Sequence, residues 1–220
     1  MLGLKKFLFK NASPAHLPDD IKAALESWRS QPVTALDEAH FHTRYVVIDI
    51  ASTGMSPETD ELLGVAAAAV RQSTILPDDA MFLDVESATD AQALDRQLVA
   101  LLQFAARSPL VTYHVSYVGG FLQRLFKERL GVDFQPQWVD LAWLLPALFA
   151  DKSTSVMPLD QWIAAFGLDE GSSRRSAMEN TLMLARIFQM LLVRANGKGV
   201  DTAAKLIDES RASSFLRRTH

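Results

Sequence analysis

Residues 44–70 decide the fold, and they read Arg44-Tyr-Val-Val-Ile-Asp-Ile-Ala-Ser-Thr-Gly-Met-Ser-Pro-Glu-Thr-Asp-Glu-Leu-Leu-Gly-Val-Ala-Ala-Ala-Ala-Val70. Tyr45–Ile50 is a short apolar run rich in β-branched residues, with Asp49 as its single carboxylate, and this pattern is typical of a buried strand. A turn-forming segment at 53–57 interrupts the run, and a second apolar run follows at Leu62–Val70. The stretch therefore predicts a β-hairpin with one acid at its open end.

The composition is that of one globular domain. The chain has 220 residues, of which 49% are hydrophobic and 22% charged, which suits a single well-buried α/β unit. Cysteine is absent, so disulfides and thiolate metal sites are excluded. The formal charge of −4 gives no overall attraction for nucleic acid. Since no signal peptide and no apolar run of about 20 residues is present, we expect a cytoplasmic protein without a membrane span.

The rest of the chain alternates strand and helix patterns. Pro77-Asp78-Asp79 has the composition of a turn and would precede a third strand. The strands predicted after the hairpin are Met81–Val85, Leu110–Tyr113 and Val139–Leu141. The helices predicted from apolar periodicity are 18–29, 90–106, 117–130, 142–150, 158–166 and 176–195. Three consecutive strands before the first crossover helix predict an α/β fold with a mixed five-stranded sheet flanked by helices.

Motifs in this order resemble those of the DEDDh 3′-to-5′ exonucleases. The run from Asp49 to Met55 is similar to the family's Asp-x-Glu-Thr-Thr-Gly-Leu. The run from Tyr113 to Leu122 is similar to its His-Asn-x-x-Phe-Asp-x-x-Phe-Leu, and the run from Arg175 to Thr181 to its His-x-Ala-x-x-Asp-Ala. The resemblance covers roughly residues 40–195. It implies a ribonuclease H-like sheet in an exonuclease-like domain at 44–196, with an N-terminal helical extension at 1–43 and a C-terminal helical tail at 197–220.

The resemblance also implies which residues stand at the family's catalytic positions. Asp49 is the sole surviving carboxylate of the set, and the degenerate positions are Ala51, Val118, Arg175 and Asn180. Relatives use Mg²⁺ or Mn²⁺, whereas one carboxylate without its partners predicts no bound metal and no cofactor. Asp49 could instead accept hydrogen bonds from nearby backbone amides, or hold a softer metal together with His114.

Two interpretations of Arg175 stay open at this point. In the implied fold it lies where the substrate phosphate would bind, so it could hold an anion bidentately, or it could form a salt bridge, with Asp49 as one candidate partner. By resemblance, the nucleotide-binding positions are Thr53, Gly54, Met55, His114, Tyr117 and Arg175. Ordinary packing at the mouth of a hairpin would use the same residue types.

Three functions fit these observations. The first is an inactive exonuclease-fold protein, a pseudoenzyme, that binds nucleic-acid ends, nucleotides or a protein partner. The second is an active 3′-to-5′ exonuclease with a rearranged metal site, and the third is a structural or regulatory scaffold. A homo-oligomer is compatible with all three. Single-stranded nucleic acid or a nucleotide is the ligand that the first function predicts.

Overall fold

The structure, a computed structural model, describes residues 17–88, 90–168 and 175–218. Its strands, numbered along the chain, are β1 Tyr45–Ser52, β2 Leu62–Arg71, β3 Thr74–Asp84, β4 Leu110–Thr112 and β5 Trp138–Asp140. They form one sheet in the order β3-β2-β1-β4-β5. The first three strands pair antiparallel, whereas β4 runs parallel to β1 and β5 parallel to β4. The mixed five-stranded sheet predicted from the sequence is confirmed.

Helices cover both faces of this sheet. They are α1 Asp19–Arg29, α2 Ala91–Ala105, α3 Val115–Leu130, α4 Leu141–Leu148, α5 Leu159–Ala165, α6 Ala177–Gly197 and α7 Ala203–Arg218. Helices α1 to α3 pack with Val46, Ile48 and Ile50 in what we name the first core. Helices α4 to α7 pack on the opposite face, with Tyr45 and Val47, in the second core. Because both faces are buried, β1 and β2 are almost continuously apolar rather than alternating.

The start of β3 corrects the sequence prediction. The strand begins at Thr74 and not at Met81, and the Pro77-Asp78-Asp79 segment lies within it rather than forming a turn. The turn is formed by Gln72 and Ser73, whose φ angles are 52° and 57°. Two positive φ angles are characteristic of the tight type I′ hairpin turn, which usually contains asparagine or glycine. The residues that make the turn therefore carry no strong turn signal. Proline is tolerated because β3 is an edge strand.

The terminal helices contribute to the two cores. Helix α1 places Ile21, Leu25 and Trp28 in the first core, and α7 places Leu206 and Ile207 in the second. The predicted boundaries at 43 and 196 stay a prediction, and residues 1–16 lie outside the described chain. Most predicted helices match within about two residues, although α3 begins at 115 and not at 117. Among the described helices, none is long and apolar enough to cross a membrane.

Candidate functional site

Asp49 lies near the end of β1 and faces the second-core side of the sheet. Its strand neighbours Ile48 and Ile50 enter the first core, so alternation directs the carboxylate the other way. There the side chain of Asn180, in the first turn of α6, forms a hydrogen bond with it. Only 8% of Asp49 is exposed. Burial raises its pKa to about 6, although hydrogen bonds from the Ile50 backbone and from Asn180 favour the carboxylate.

Arg175 extends this contact chain away from Asp49. Its Nε donates to Asn180 Oδ1 at 3.0 Å, and its guanidinium also pairs with Asp160 in the first turn of α5. The salt bridge considered from the sequence is therefore present, but its partner is Asp160 and not Asp49. Arg175 is 14% exposed while Asp160 is 79% exposed. The guanidinium borders a cavity of about 440 Å³ with Glu179 and Arg186, so small ligands can reach it.

A capping box fixes the beginning of α6. The Ser176 hydroxyl accepts from the Glu179 amide, and the Glu179 carboxylate accepts from the Ser176 amide. These bonds lower the pKa of Glu179, whose side chain is exposed as predicted. Within the same turn, Thr181 donates to the carbonyl of Ala66 on β2 at 3.3 Å. The helix end that carries Asn180 is thus tied to the sheet next to Asp49.

The two other degenerate positions lie differently. Ala51 is half-buried, pairs with Gly64 on β2 and shares the face of Asp49 by strand alternation. Val118 is fully buried in the first core, which is on the other face of the sheet. Of the five positions, the structure brings Asp49, Asn180 and Arg175 into one contact chain, and Val118 lies apart from it.

The β1–β2 connection forms the mouth of the site. The Ser52 hydroxyl lies 2.7 Å from the Tyr117 hydroxyl and donates to the carbonyl of Gly54. A Cβ on Gly54 would come within 2.4 Å of the Asp60 carboxylate, so only glycine fits there without movement. Met55 is 73% exposed beside this turn. An exposed thioether offers a polarisable surface on which a flat ligand can lie.

The backbone amides of Thr53 and His114 both donate hydrogen bonds that fix the positions of these residues. Thr53 exchanges bonds with Glu61: its amide donates to the Glu61 carbonyl, and its hydroxyl accepts from the Glu61 amide at 2.9 Å. His114 has a φ of 66°, which is unusual for a residue with a side chain, and its amide donates to Asp140. Asp140 also accepts hydrogen bonds from the amides of Val115 and Ala142. One buried carboxylate therefore fixes the junction between β4 and α3 and caps the first turn of α4. Burial raises the pKa of Asp140 despite these three amides.

Sequence reasoning missed two polar contacts of this region. Asp160 lies in the helix predicted at 158–166, but nothing in the sequence pattern indicates that it pairs with Arg175. Ser52 replaces one of the two threonines in the family motif, and its bond to Tyr117 depends on where α3 lies. Both contacts join segments that are distant along the chain.

Comparisons with known proteins agree with this fold. No family model matches the chain. It is similar to the PolC-type DNA polymerase III of Thermotoga petrophila, with 20% identity over 190 residues that cover 79% of this chain and 13% of that protein. It is also similar to E. coli exonuclease I in a zinc-bound complex with single-stranded DNA, with a TM-score of 0.54 and 12% identity over 76% of this chain and 42% of that chain.

A second complex of exonuclease I, with a dA16 oligonucleotide, gives a TM-score of 0.51 and 14% identity at the same coverage. The chain therefore spans a small part of the polymerase and less than half of the exonuclease. These comparisons confirm the predicted resemblance to the exonucleases and the ribonuclease H-like form of the sheet.

Proposed function

We propose that this chain is an exonuclease-fold protein that does not hydrolyse nucleic acid and instead binds a phosphate-bearing strand end or a nucleotide near Arg175. The observation that supports this most directly is the contact chain from Asp49 through Asn180 to Arg175. It places an amide and a guanidinium where the resemblance implies a carboxylate and a general base. An arginine stays protonated at neutral pH and cannot accept a proton from water.

The residues present do not fit a pair of divalent cations. Two-metal hydrolysis needs cations about 3.5–4 Å apart, held by several hard oxygen ligands. Asp49 is the one carboxylate at the positions that the resemblance implies. Nowhere in the described ranges do three or more His, Cys, Asp or Glu side chains group in a way that could hold a metal ion. These residues therefore do not support two-metal hydrolysis at this site.

The guanidinium of Arg175 offers hydrogen-bond donors that suit an anion instead. Ala51 and Asn180 carry no charge that would repel a phosphate, and Arg175 adds a planar set of donors. Its partner, the Asp160 carboxylate, is 79% exposed, so it can turn into solvent when a phosphate binds. A phosphate can therefore take the place of Asp160 at small cost. Affinity in the micromolar to millimolar range is expected for a few such bonds.

We expect that the protein, in Mg²⁺ or Mn²⁺, does not shorten a labelled single-stranded oligonucleotide faster than buffer alone does. The reason is that the carboxylates needed to bind two divalent cations are missing. Asp49→Ala should therefore leave the result unchanged. The assay is gel electrophoresis over a time course at enzyme excess. Turnover by the wild type that Asp49→Ala abolishes would establish an active, rearranged site and replace this proposal.

Binding should respond in opposite directions to substitutions of the two ion-pair partners. Asp160→Asn removes the competing carboxylate, so it should strengthen the binding of a nucleoside monophosphate in EDTA by up to about fivefold. Arg175→Ala should abolish that binding, and raised salt should weaken it in the wild type. Isothermal titration calorimetry measures all of these. If wild type and Arg175→Ala bind equally, or neither binds, Arg175 is not an anion site.

Failure of that test would favour the scaffold function or a protein partner. A homo-oligomer and a cytoplasmic location also remain part of the proposal, and both can be measured in the cell or in solution. Single-stranded nucleic acid is the preferred ligand because Arg175 can pair with a phosphate and the exposed Met55 can contact an unpaired base.

A further inference from the structure

A second cavity lies at the opposite end of the sheet from Asp49. It has a volume of about 220 Å³ and is bounded by the end of α1, the α2–β4 turn and the loop before β5. Leu110, the first residue of β4, is part of its lining and pairs with Val46 near the start of β1. Asp49 lies near the other end of β1. The two sites are therefore separate.

One wall of the cavity is a stacked pair of planar side chains. The Arg107 guanidinium lies 4.5 Å from the ring centre of Trp28. It is held there by a bond from its terminal nitrogen to the Arg29 carbonyl at 3.1 Å. Its Nε is buried and has no hydrogen-bond partner among the described residues. An arginine fixed on an aromatic ring presents its second face as a platform for another flat group.

The backbone beside this platform is strained. Ala106 has a φ of 51° and a ψ of −125°, a conformation that strongly favours glycine. Its carbonyl accepts from the Trp28 indole at 3.2 Å, and this bond sets the orientation of the ring. Residues in such conformations persist only when their surroundings hold them, and they concentrate at ligand sites. The strained residue Ala106 therefore lies beside Arg107 and Trp28 in the wall of the cavity.

The size and polarity of the cavity select the ligand class. Its volume is below the roughly 300–1,000 Å³ of pockets for drug-sized molecules, so one ring system fits rather than a whole cofactor. Phe134 supplies an apolar wall, while Asp133, Gln135 and Gln137 supply polar groups at the rim. Exposed Val33 extends the apolar lining to the surface. A flat ring with hydrogen-bonding edges matches these groups better than an aliphatic chain does.

We propose that this cavity is a second ligand site, which binds a planar heteroaromatic ring of purine size by stacking on Arg107. The site needs neither a phosphate nor a metal, and it is independent of the anion site at Arg175. Stacking of a base on a protein side chain accounts for affinity changes of about fivefold or more when the platform is removed.

The test is a titration of the 220-residue chain with adenosine, followed by NMR of the Trp28 indole N–H and by calorimetry. We expect that resonance to shift with saturation, and Arg107→Ala to weaken binding about fivefold or more. Arg107→Lys should behave like Arg107→Ala, since lysine keeps the charge but not the plane. Arg175→Ala should bind adenosine as the wild type does, so failure here is distinguishable from failure of the anion site.

An unchanged Trp28 resonance in wild-type protein at millimolar adenosine would overturn the proposal, and this measurement needs no variant that could misfold. Full binding by Arg107→Lys would also overturn it, because charge rather than stacking would then be responsible. Equal binding by ribose alone would exclude ring recognition.

Discussion

Asp140→Ala is expected to lower the free energy of unfolding by about 3–5 kcal/mol. Three backbone amides, from His114, Val115 and Ala142, donate to this one carboxylate at 2.9–3.0 Å. Each hydrogen bond to a charged group contributes about 1.5–3 kcal/mol, and the sum is reduced because the half-buried amides of α3 can reach water. The measurement is urea unfolding followed by tryptophan fluorescence.

The matched variant is Asp140→Asn, which keeps one oxygen acceptor but turns an N–H donor toward one of the amides. It should lose less than the alanine variant. Hydrogen exchange gives a local readout: the amides of His114 and Val115 should exchange faster in both variants than in the wild type. A loss below 1 kcal/mol in Asp140→Ala would contradict the role assigned to this carboxylate.

Asp49→Asn is expected to stabilise the protein at neutral pH by about 3 kcal/mol. Burial raises the pKa of Asp49 from 3.8 to about 6, and each pKa unit corresponds to about 1.4 kcal/mol. The native state binds this proton more tightly than the unfolded state does, so the contribution of Asp49 to stability falls as pH rises from about 4 through 6. The asparagine has no charge to bury.

The difference in unfolding free energy between Asp49→Asn and wild type should therefore be fully developed above pH 7 and close as pH falls toward 4. Urea unfolding across this range measures it. Asp37→Asn, at an exposed position, is the control and should show no comparable trend. If the difference in unfolding free energy is constant, or grows toward low pH, the ionised Asp49 carboxylate does not destabilise the native state.

The hairpin shows how far sequence predicts this fold. The limits of β1 and β2 follow from long apolar runs, because strands covered on both faces need such runs. The β2–β3 turn could not be predicted, since Gln72 and Ser73 adopt positive φ angles that their side chains disfavour. The sheet on either side imposes that conformation. Pro77 and the two aspartates after it favour a turn by composition, but they lie within β3. An edge strand tolerates a proline, so the composition alone was misleading.

Some contacts of the candidate site could be predicted from the sequence and others could not. Asp49 and Asn180 could be paired from motif order, because the resemblance brings their elements together. The partner of Arg175 could not, since Asp160 reaches it across the gap between α5 and α6. The burial of Val118 depends on the rotation of α3 about its axis, which sequence periodicity defines only to within a fraction of a turn.

The outer edge of β3 has a consequence for self-association. An exposed strand edge is a template for edge-to-edge polymerisation, and natural proteins discourage it with charge and proline. Here the strand contains Pro77, which has no backbone N–H, followed by Asp78 and Asp79. A second copy paired along this edge would meet a proline that cannot donate a ladder bond and the exposed carboxylate of Asp78. Fibrous assembly through this edge of the sheet is therefore disfavoured.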